Sequence, residues 1–529
     1  MIRVSDIKLT VGDKEREGII KSLARRLGIR ESDVLGFKIF RKSVDARKNK
    51  LFFVYSVDAE VRNERRVLEK NEGKDVAQTP DMSYHSVPYG QERMEKRPVV
   101  VGTGPAGLFA ALILSEMGFS PLVFERGGDV QSRTRDVNLF WETGVLNPES
   151  NVQFGEGGAG TFSDGKLTTL IRDRRCRKVL EELVTAGAPE EILYLNKPHV
   201  GTDILKTVVM NLRERIMKLG AEVKFYSRVS DIHIEGGRVL GVVVNGREEI
   251  DASTVVLAVG HSARDVFHML YEKGVYMVPK AFSLGVRVEH PQHLINRVQH
   301  NIFAGHEKLG PADYKLVFHD RTGRSCYTFC MCPGGVVVAA ASEFGGVVTN
   351  GMSHFARDAE NANSALLVGI TPEDFGSPHP LAGIEFQRAW EKKAFELGGG
   401  GFTAPAQLVG DFLANRPSSV IGSVKPSYPR GVIPTDLGLC LPSYVSETIR
   451  RAIPELDKKL KGFGHPEAML TGVETRSSSP VRIHRDDGYQ SSVRGLYPTG
   501  EGAGYAGGII SSAVDGIRVA EAIVSKYRP

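Results

Sequence analysis

Three stretches of the chain carry glycine at the spacing GxGxxG, which is typical of loops whose backbone approaches a nucleotide phosphate. Their glycines are Gly102, Gly104 and Gly107, then Gly155, Gly157 and Gly160, and then Gly502, Gly504 and Gly507. Only the first stretch stands between an apolar strand pattern and an apolar helix pattern, in "RPVVVGTGPAGLFAALILSEMGFSPLVFERGG". There Gly102 permits a tight turn, Gly104 lets the backbone reach a pyrophosphate, and Gly107 lets the helix pack closely on the strand. This stretch predicts a dinucleotide-binding loop.

The residues around this loop supply the other groups that a dinucleotide needs. The predicted helix begins near Pro105 and Ala106, so its unpaired N–H groups and positive dipole end point at the phosphates. Glu125 ends the second predicted strand 23 residues after Gly102 and is followed by Arg126. A carboxylate at this place can accept hydrogen bonds from ribose hydroxyls.

Neither of the other two glycine stretches is expected to bind a dinucleotide alone. The second, "FGEGGAGTFSDGKLTT", is followed by polar residues instead of an apolar helix. The third, "GEGAGYAGG", opens a helix, but the sequence continues for only 22 residues after Gly507, so we expect no second strand with its acid. Both stretches are therefore predicted to close the first site from distant parts of the chain.

The order of the elements resembles that of FAD-binding proteins of the glutathione-reductase-like superfamily. The nucleotide loop comes first, the short apolar strand "TVVLAVG" follows at residues 254–260, and "YPTGE" with a glycine-opened helix comes last. The resemblance implies FAD as the cofactor and a last helix whose positive end lies beside the flavin ring, favouring negative charge on the reduced ring. The superfamily's last strand ends in Gly-Asp, whereas this chain has Gly500 and Glu501, whose acid is one methylene longer. The other positions that the resemblance assigns to FAD are Gly158, Gly160, Val229, Gly260, Gly507, Gly508 and Ile509.

Four longer strings resemble the bacterial and plastid family of uncharacterised FAD-dependent dehydrogenases. They are "VQFGEGGAGTFSDGKLTT", "YTFCMCPGG", "GVETRSSSPVRI" and "YPTGEGAGYAGGI", and the likeness includes "KSVDARK" near the N-terminus. The resemblance implies a flavin enzyme of undefined substrate and does not supply a reaction. Our leading interpretation is an FAD-dependent oxidoreductase that transfers a hydride between an unidentified organic substrate and the flavin. We find no second nucleotide-binding fingerprint, so NAD(P)H is considered only as a transient electron donor.

The predicted fold class is α/β, with a discontinuous Rossmann-like FAD-binding domain, an inserted antiparallel-sheet substrate domain and a small N-terminal α+β domain. The predicted boundaries are 1–78 for the N-terminal domain, 79–96 for a linker, 97–280 and 470–529 for the FAD-binding domain, and 281–469 for the insert. A length of 529 residues is consistent with several domains. In flavoproteins of this plan the inserted sheet covers the flavin ring, and the substrate lies between the two.

Three cysteines of the insert are candidates for chemistry. Cys326, Cys330 and Cys332 are spaced four and two residues apart, so on a regular strand their side chains share one face. A metal site is not predicted, because it needs a fourth ligand. A redox or nucleophilic role of Cys330 or Cys332 against the flavin stays open, while packing of small side chains under the sheet is favoured.

Charged residues beside the glycine stretches are the remaining catalytic candidates. Lys166 follows Asp164 in "SDGKL", and Arg476 lies in "ETRSSSPVR" with Glu474 and Arg482. Such residues could bind a carboxylate or deliver a proton, but surface pairing or contact with FAD phosphates is favoured. His199, His261 and His484 are scattered and show no metal-binding spacing.

Composition indicates a cytoplasmic protein with a small-molecule substrate. Five cysteines and a start without a secretory pattern favour a reducing compartment, and no apolar run is long enough for a bilayer. Residues 1–97 hold 22 Lys and Arg against 16 Asp and Glu, but the signs alternate closely, which disfavours nucleic acid. The alternative function is an RNA-modifying flavoprotein that holds RNA with this domain. A continuous basic face would support it, and a face of mixed charge would argue against it.

Overall fold

The computed structural model describes residues 1–46, 50–73 and 75–529, which form a mixed α/β protein with several sheets. The strands are β1 Ile2–Thr10, β2 Val34–Asp45, β3 Phe52–Val61, β4 Val76–Gln78, β5 Glu92–Arg93, β6 Val99–Val101, β7 Leu122–Phe124, β8 Glu222–Lys224, β9 Val229–Glu235, β10 Arg238–Val244, β11 Glu248–Asp251, β12 Val255–Leu257, β13 Met277–Pro279, β14 Phe282–Pro291, β15 Val317–His319, β16 Ser325–Cys332, β17 Val336–Ala339, β18 Thr349–Met352, β19 Asn361–Ile370, β20 Ala404–Leu408, β21 Val432–Pro434, β22 Met469–Glu474, β23 Val481–Ile483, β24 Leu496–Pro498 and β25 Tyr527–Arg528. The helices are α1 Glu15–Leu27, α2 Glu64–Asn71, α3 Pro105–Glu116, α4 Val130–Thr143, α5 Arg175–Thr185, α6 Thr202–Lys218, α7 Arg264–Glu272, α8 Gln292–His300, α9 Ala382–Leu397, α10 Val409–Leu413, α11 Ser443–Lys459 and α12 Ile509–Lys526.

The N-terminal region is an antiparallel sheet in the order β2-β3-β1-β4, with α1 on one face. Phe53, Tyr55 and Val57 are buried at every second position of β3, and Ile19 and Leu23 of α1 pack in the same core. The strand patterns "VLGFKIFRKSVDAR" and "NKLFFVYSVDAEV" and the string "KSVDARK" each reach into residues 47–49, which lie outside the described residues, as does residue 74 of the predicted N-terminal domain.

A five-stranded parallel sheet in the order β24-β12-β6-β7-β8 carries the first glycine stretch. Its edge strand β24 comes from the C-terminal part of the chain, so the sheet is assembled from distant segments. Helix α3 is buried on nearly all sides because α12 packs against it. A Cβ atom at Gly516 of α12 would lie 2.1 Å from the Ala106 carbonyl oxygen, so glycine is needed where the helices touch.

A second, seven-stranded sheet in the order β15-β16-β19-β14-β22-β20-β21 takes all its strands from residues 282–474. Neighbouring strands are antiparallel except β20 and β21, and β14 and β19 pair over ten residues each. A large apolar core lies against one face, where it contacts α11 and other helices.

Two details of this sheet differ from the sequence-based expectation. The apolar, β-branched pattern of "GGVVVAAASEF" predicts a strand of the inserted sheet, but this segment contains β17, which pairs with β18 in a separate two-stranded sheet. Strand β22 pairs with β14 and β20, so the boundary predicted at residue 470 falls inside a strand of the seven-stranded sheet. Within the described ranges, no helix has both the length and the apolar character that crossing a bilayer requires.

Candidate functional site

The first glycine stretch forms the predicted turn between β6 and α3. Gly102 has φ 99°, and a Cβ atom there would lie 2.5 Å from the Ala258 carbonyl oxygen. A Cβ atom at Gly107 would lie 1.9 Å from the Gly102 carbonyl oxygen. Both glycines therefore serve close backbone packing, and α3 begins at Pro105 with no side chain capping its N–H groups.

The second glycine stretch packs directly on the first. The Gly157 N–H donates to the Thr103 carbonyl oxygen at 2.9 Å. A Cβ atom at Gly158 would lie 3.0 Å from the Gly104 Cα atom, and one at Gly160 would lie 3.3 Å from Ile509 of α12. The structure thus brings these predicted site residues together, although they come from three parts of the chain.

The third glycine stretch closes the same region from the C-terminal side. A Cβ atom at Gly500 would lie 2.7 Å from the Ala106 Cβ atom, and one at Gly502 would lie 2.5 Å from the Gly260 carbonyl oxygen. The Asp515 carboxylate holds this turn by accepting from the Gly500 N–H at 2.7 Å. The three glycine stretches and the segment that ends at Gly260 therefore surround one place in the fold.

The N-terminus of α12 is open beside this place. Gly508 precedes the helix with φ 119°, and a Cβ atom at Gly507 or Gly508 would meet no protein atom within 4 Å. Among the described residues, the half-buried Glu501 carboxylate has no hydrogen-bond or ion-pair partner. Burial raises the pKa of Glu501 to about 7, while the nearby Lys280 acts in the opposite direction.

Glu125 is placed at the end of β7, as predicted, but its carboxylate is occupied by the protein. One oxygen accepts from the Thr103 N–H at 2.9 Å and the Thr103 hydroxyl at 2.7 Å. The other accepts from the N–H groups of Gly127 at 3.0 Å and Gly155 at 2.9 Å. The carboxylate thereby joins the first two glycine stretches, and the predicted ribose contact remains a prediction.

Arg126 and Val229, both predicted to bind the cofactor, lie on neighbouring segments after β7 and at the start of β9. Arg126 pairs with Glu149 at 2.8 Å and with Asp265 at 2.9 Å. A cavity of about 530 Å³ opens beside Arg126 and is lined by both strand ends and the insert. Its lining residues include Arg126, Phe154, Arg228, Ser262, Phe344 and Arg388.

Lys166 belongs to a buried charge cluster at the face of the seven-stranded sheet that is opposite its apolar core, which we call the cofactor side. Its Nζ atom lies 2.9 Å from Asp164, whose carboxylate also accepts two hydrogen bonds from Arg357 at 2.9 and 2.6 Å. Burial alone would raise the pKa of Asp164, but Lys166 and Arg357 outweigh it and hold that pKa well below its usual value. Two cations face one carboxylate here, so the cluster carries net positive charge.

The predicted common face of the three cysteines is wrong, because β16 contains a β-bulge. Phe329 pairs with Ala365 and Cys332 with Asn363, so three steps along β16 match two along β19. Cys330 lies within the bulge at φ 43°, which is uncommon for a residue with a side chain.

The bulge separates Cys326 from the other two cysteines. Cys326 pairs with Val368 and lies in the apolar core, where burial raises its thiol pKa. Cys332 pairs with Asn363, which is an odd number of residues from Val368 and so lies on the opposite face of the sheet. Packing therefore accounts for Cys326 alone.

Arg287 of β14 is a site residue that the sequence analysis missed. Its guanidinium is fully buried, donates to the Cys330 carbonyl oxygen at 2.9 Å and pairs with Glu474 at 2.9 Å. The available signal was a lone arginine inside the apolar strand pattern "AFSLGVRVEH". Arg357 gave no such signal, because its partner Asp164 is distant in sequence.

Arg476 is buried in an ion cluster and does not join Lys166. It donates to Glu391 from Nε and Nη2 at 3.0 Å each, and Arg264 donates to the same carboxylate at 2.8 and 3.0 Å. Burial opposes ionisation, yet the two arginines hold the pKa of Glu391 well below its usual value. This cluster connects α7 with α9, so the structure favours a positioning role for Arg476 over a catalytic one.

The histidines and the N-terminal surface carry no comparable site. Burial lowers the pKa of His261 to about 3, and His199 stacks on Phe355. Within the part of the chain that the structure describes, no three metal-ligating side chains are grouped to hold a metal ion.

Basic residues of the N-terminal region alternate with acidic partners, and this mixed charge argues against the RNA alternative. The pairs include Arg3–Asp58, Arg26–Asp75, Lys42–Glu15, Lys96–Asp251 and Arg97–Glu222.

Comparison with known proteins decides the family. The model of the family described as FAD-dependent protein, C-terminal domain-like, matches residues 281–477, and a domain of unknown function (DUF8436) matches residues 1–60. A Clostridium beijerinckii protein described as uncharacterised is 51% identical over 529 residues, covering 99% of each chain. The chain belongs to this family of FAD-dependent proteins. FAD is accordingly its cofactor, which confirms the prediction.

More distant similarities are partial. The digeranylgeranylglycerophospholipid reductase of Haloferax volcanii is 28% identical over 167 residues, which are 31% of this chain and 35% of that protein. The solved glycine oxidase of Bacillus cereus is 12% identical, with 82% of this chain and 98% of that chain covered at a TM-score of 0.32.

The residues present fit FAD at the place where the glycine stretches meet. The α3 N-terminus offers unpaired N–H groups of the kind that bind a pyrophosphate. At the other end, Gly507 and Gly508 leave space that any side chain would fill, and among the described residues the Glu501 carboxylate has no hydrogen-bond or ion-pair partner. An anionic group of a cofactor can accept hydrogen bonds from the α3 N–H groups, and a cofactor hydroxyl can donate one to the Glu501 carboxylate.

Proposed function

We propose that the protein is an FAD-dependent oxidoreductase that transfers a hydride between an organic substrate and the flavin. The supporting observation is that Glu501, in the same glycine stretch as the N-terminus of α12, interacts with a polar group of the seven-stranded sheet. The link between them is the electrostatic interaction of Glu501 with Cys330. A cofactor held by the glycine stretches would therefore have reactive side chains of the insert on its other side.

In this proposal the chain holds FAD from three directions. The N–H groups at Gly104 and Ala106 would bind the pyrophosphate, and Arg126 and Val229 would lie beside the adenosine. Gly107, Gly158, Gly160, Gly260, Gly500, Glu501, Gly507, Gly508 and Ile509 complete the proposed set. Bound FAD supplies the hydride-accepting ring.

The side chains opposite this ring would bind and orient the substrate. Lys280 places positive charge near Glu501, and Lys166 places it near Cys330 and Cys332, so an anionic substrate group is favoured. The Lys166 Nζ atom is buried and makes an ion pair but no hydrogen bond, so its protons are available to a substrate oxygen or sulfur. Its position makes Lys166 a better candidate for proton delivery than Arg476.

Anaerobic screening tests this function. Purified holoprotein is mixed with candidate metabolites, NADH or NADPH, and bleaching of the flavin absorbance is followed. Reduction by one donor class, with reoxidation by a matching acceptor, is the expected result. Reduction by dithionite alone, across a broad set of donors, would instead indicate a protein that binds flavin without turnover.

We expect one FAD per chain and no permanently bound NAD(P). The physical reason is that the three glycine stretches contact one another and cannot enclose separate nucleotides. Denaturing a weighed sample and quantifying released nucleotides by chromatography measures the ratio. Two nucleotides per chain would contradict the single-site arrangement.

A further inference from the structure

Two thiols lie together on the cofactor side of the seven-stranded sheet. Cys330 is half-buried and Cys332 is fully buried, and the two lie two residues apart at the end of β16. The Cys332 sulfur also lies 3.3 Å from the Cys330 carbonyl oxygen. The hydride transfer proposed above gives these thiols no role.

We propose that Cys330 and Cys332 form a redox-active dithiol that exchanges two electrons with the bound FAD and acts on a disulfide substrate. This inference rests on the proposed oxidoreductase function and names the substrate class for the same site. Cys330, the more accessible of the two, would be the attacking thiol, and the buried Cys332 would be the resolving thiol.

The bulge gives the two cysteines a geometry that a regular strand would not. Alternate residues of an extended strand have Cα atoms about 6.7 Å apart, near the upper limit for a disulfide. The left-handed backbone at Cys330 bends the strand, so the Cys332 side chain folds back towards residue 330. Arg287 holds this conformation by donating to the Cys330 carbonyl oxygen at 2.9 Å.

The charges around Cys330 favour its thiolate, which is the reactive form. The charged side chains that face it from the surrounding elements are Lys166, Arg287, Asp164, Glu474 and Glu501. The hydrogen bond from Cys332 and the nearby Lys166 hold the pKa of Cys330 well below its usual value, and the same hydrogen bond raises the pKa of Cys332. The opposite directions of the two shifts suit Cys330 as the attacking thiol and Cys332 as the resolving thiol.

The dithiol is also placed to communicate with the cofactor. Cys330 interacts electrostatically with Glu501, which follows Gly500 in the third glycine stretch. Lys166, which interacts with both thiols, follows the second glycine stretch. The two segments that face the dithiol are therefore continuous with the segments proposed to hold FAD.

The electrons and protons of the proposed cycle balance. The Cys330 thiolate attacks the substrate disulfide, one substrate thiol leaves, and the Cys332 thiol then displaces the second, closing a Cys330–Cys332 bond. Reopening that bond to a thiolate and a thiol takes two electrons and one proton, the set that one hydride equivalent of reduced FAD carries. Reduced FAD must be regenerated by a hydride donor such as a nicotinamide nucleotide.

Thiol state and electron count test the inference without relying on turnover. Air-oxidised holoprotein is alkylated and digested with trypsin, and the peptide of residues 325–357 is searched for a Cys330–Cys332 disulfide by mass spectrometry. Anaerobic titration with dithionite should then consume about four electron equivalents per chain, two for the flavin and two for the disulfide. In the Cys330→Ser and Cys332→Ser variants, the dithionite consumed should fall to about two electron equivalents per chain.

Cys326→Ala is the matched control, because Cys326 is in the same peptide and strand but on the other face of the sheet. It should keep the disulfide and the larger electron demand. In the reduced protein, Cys330 should be alkylated at about pH 6.5 at least about tenfold faster than Cys176. Lys166→Met should remove most of that advantage, and Lys166→Arg should retain it.

The two proposals fail in different ways. A wild-type demand of about two electrons with five free thiols after air oxidation would overturn the dithiol. Equal alkylation of Cys330 and Cys176 would do the same. A Cys330–Cys332 disulfide that forms and takes up two electrons from dithionite, in a protein whose flavin no hydride donor reduces, would overturn the proposed hydride transfer and leave the redox-active thiol pair.

Discussion

Gly508→Val is expected to lower the FAD content of the purified protein at least about tenfold, although this residue is about 400 positions from the first nucleotide loop. Gly508 has φ 119°, where a side chain costs about 1–3 kcal/mol of backbone strain. The valine methyl groups would extend into the space beside α12 that no protein atom occupies within 4 Å. If FAD uses that space, strain and steric exclusion act together.

A control variant separates the two effects. Gly274 also has positive φ, 73°, and a Cβ atom there meets no protein atom within 4 Å. It lies at the end of α7 that is far from Arg264, so Gly274→Val carries strain without touching the proposed site. FAD absorbance per chain and thermal midpoint are measured for both variants. Equal FAD content in the two would show that the C-terminal segment does not close the site.

The parts of the site that could be predicted are those specified by local sequence. The first glycine stretch was recognisable because an apolar strand, a tight turn and an apolar helix are consecutive, and each has its own pattern. Glu125 followed from its place at the end of a strand. The meeting of Gly158, Gly160 and Gly500 with this loop required the superfamily resemblance, because no local pattern links segments so far apart.

The parts that could not be predicted depend on tertiary pairing. The bulge at Cys330 lies where the pairing register of β16 with β19 shifts by one residue. The alternation of side chains in the sequence of β16 alone does not predict this shift. Likewise the cluster of Lys166 with Arg357 joins a loop after the second glycine stretch to a turn of the insert. The sequence made Arg476 as good a catalytic candidate as Lys166. Only the structure shows that Arg476 and Arg264 both pair with Glu391, in a cluster separate from Lys166.

Glu125→Ala is expected to lower the free energy of unfolding of the FAD-free protein by about 3 kcal/mol or more. The carboxylate is buried and accepts from Thr103, Gly127 and Gly155, so alanine leaves several buried donors without an acceptor. The loss should also weaken FAD binding, because the first two glycine stretches would no longer be joined. This differs from a residue that only contacts ribose, whose removal would leave the FAD-free protein as stable as before.

Urea unfolding of the wild type and the variant, each with and without saturating FAD, distinguishes these roles. Glu125→Gln should be destabilised as well, because its amide N–H group would face N–H donors in place of one carboxylate oxygen. Glu249→Ala, at an exposed position of β11, is the control and should leave both curves unchanged. A Glu125→Ala protein that unfolds at the wild-type urea concentration without FAD, yet loses FAD on dilution, would contradict the role in loop assembly. It would show instead that Glu125 contributes through a contact with the ribose. Such a result requires that the carboxylate turn away from Thr103 when FAD binds.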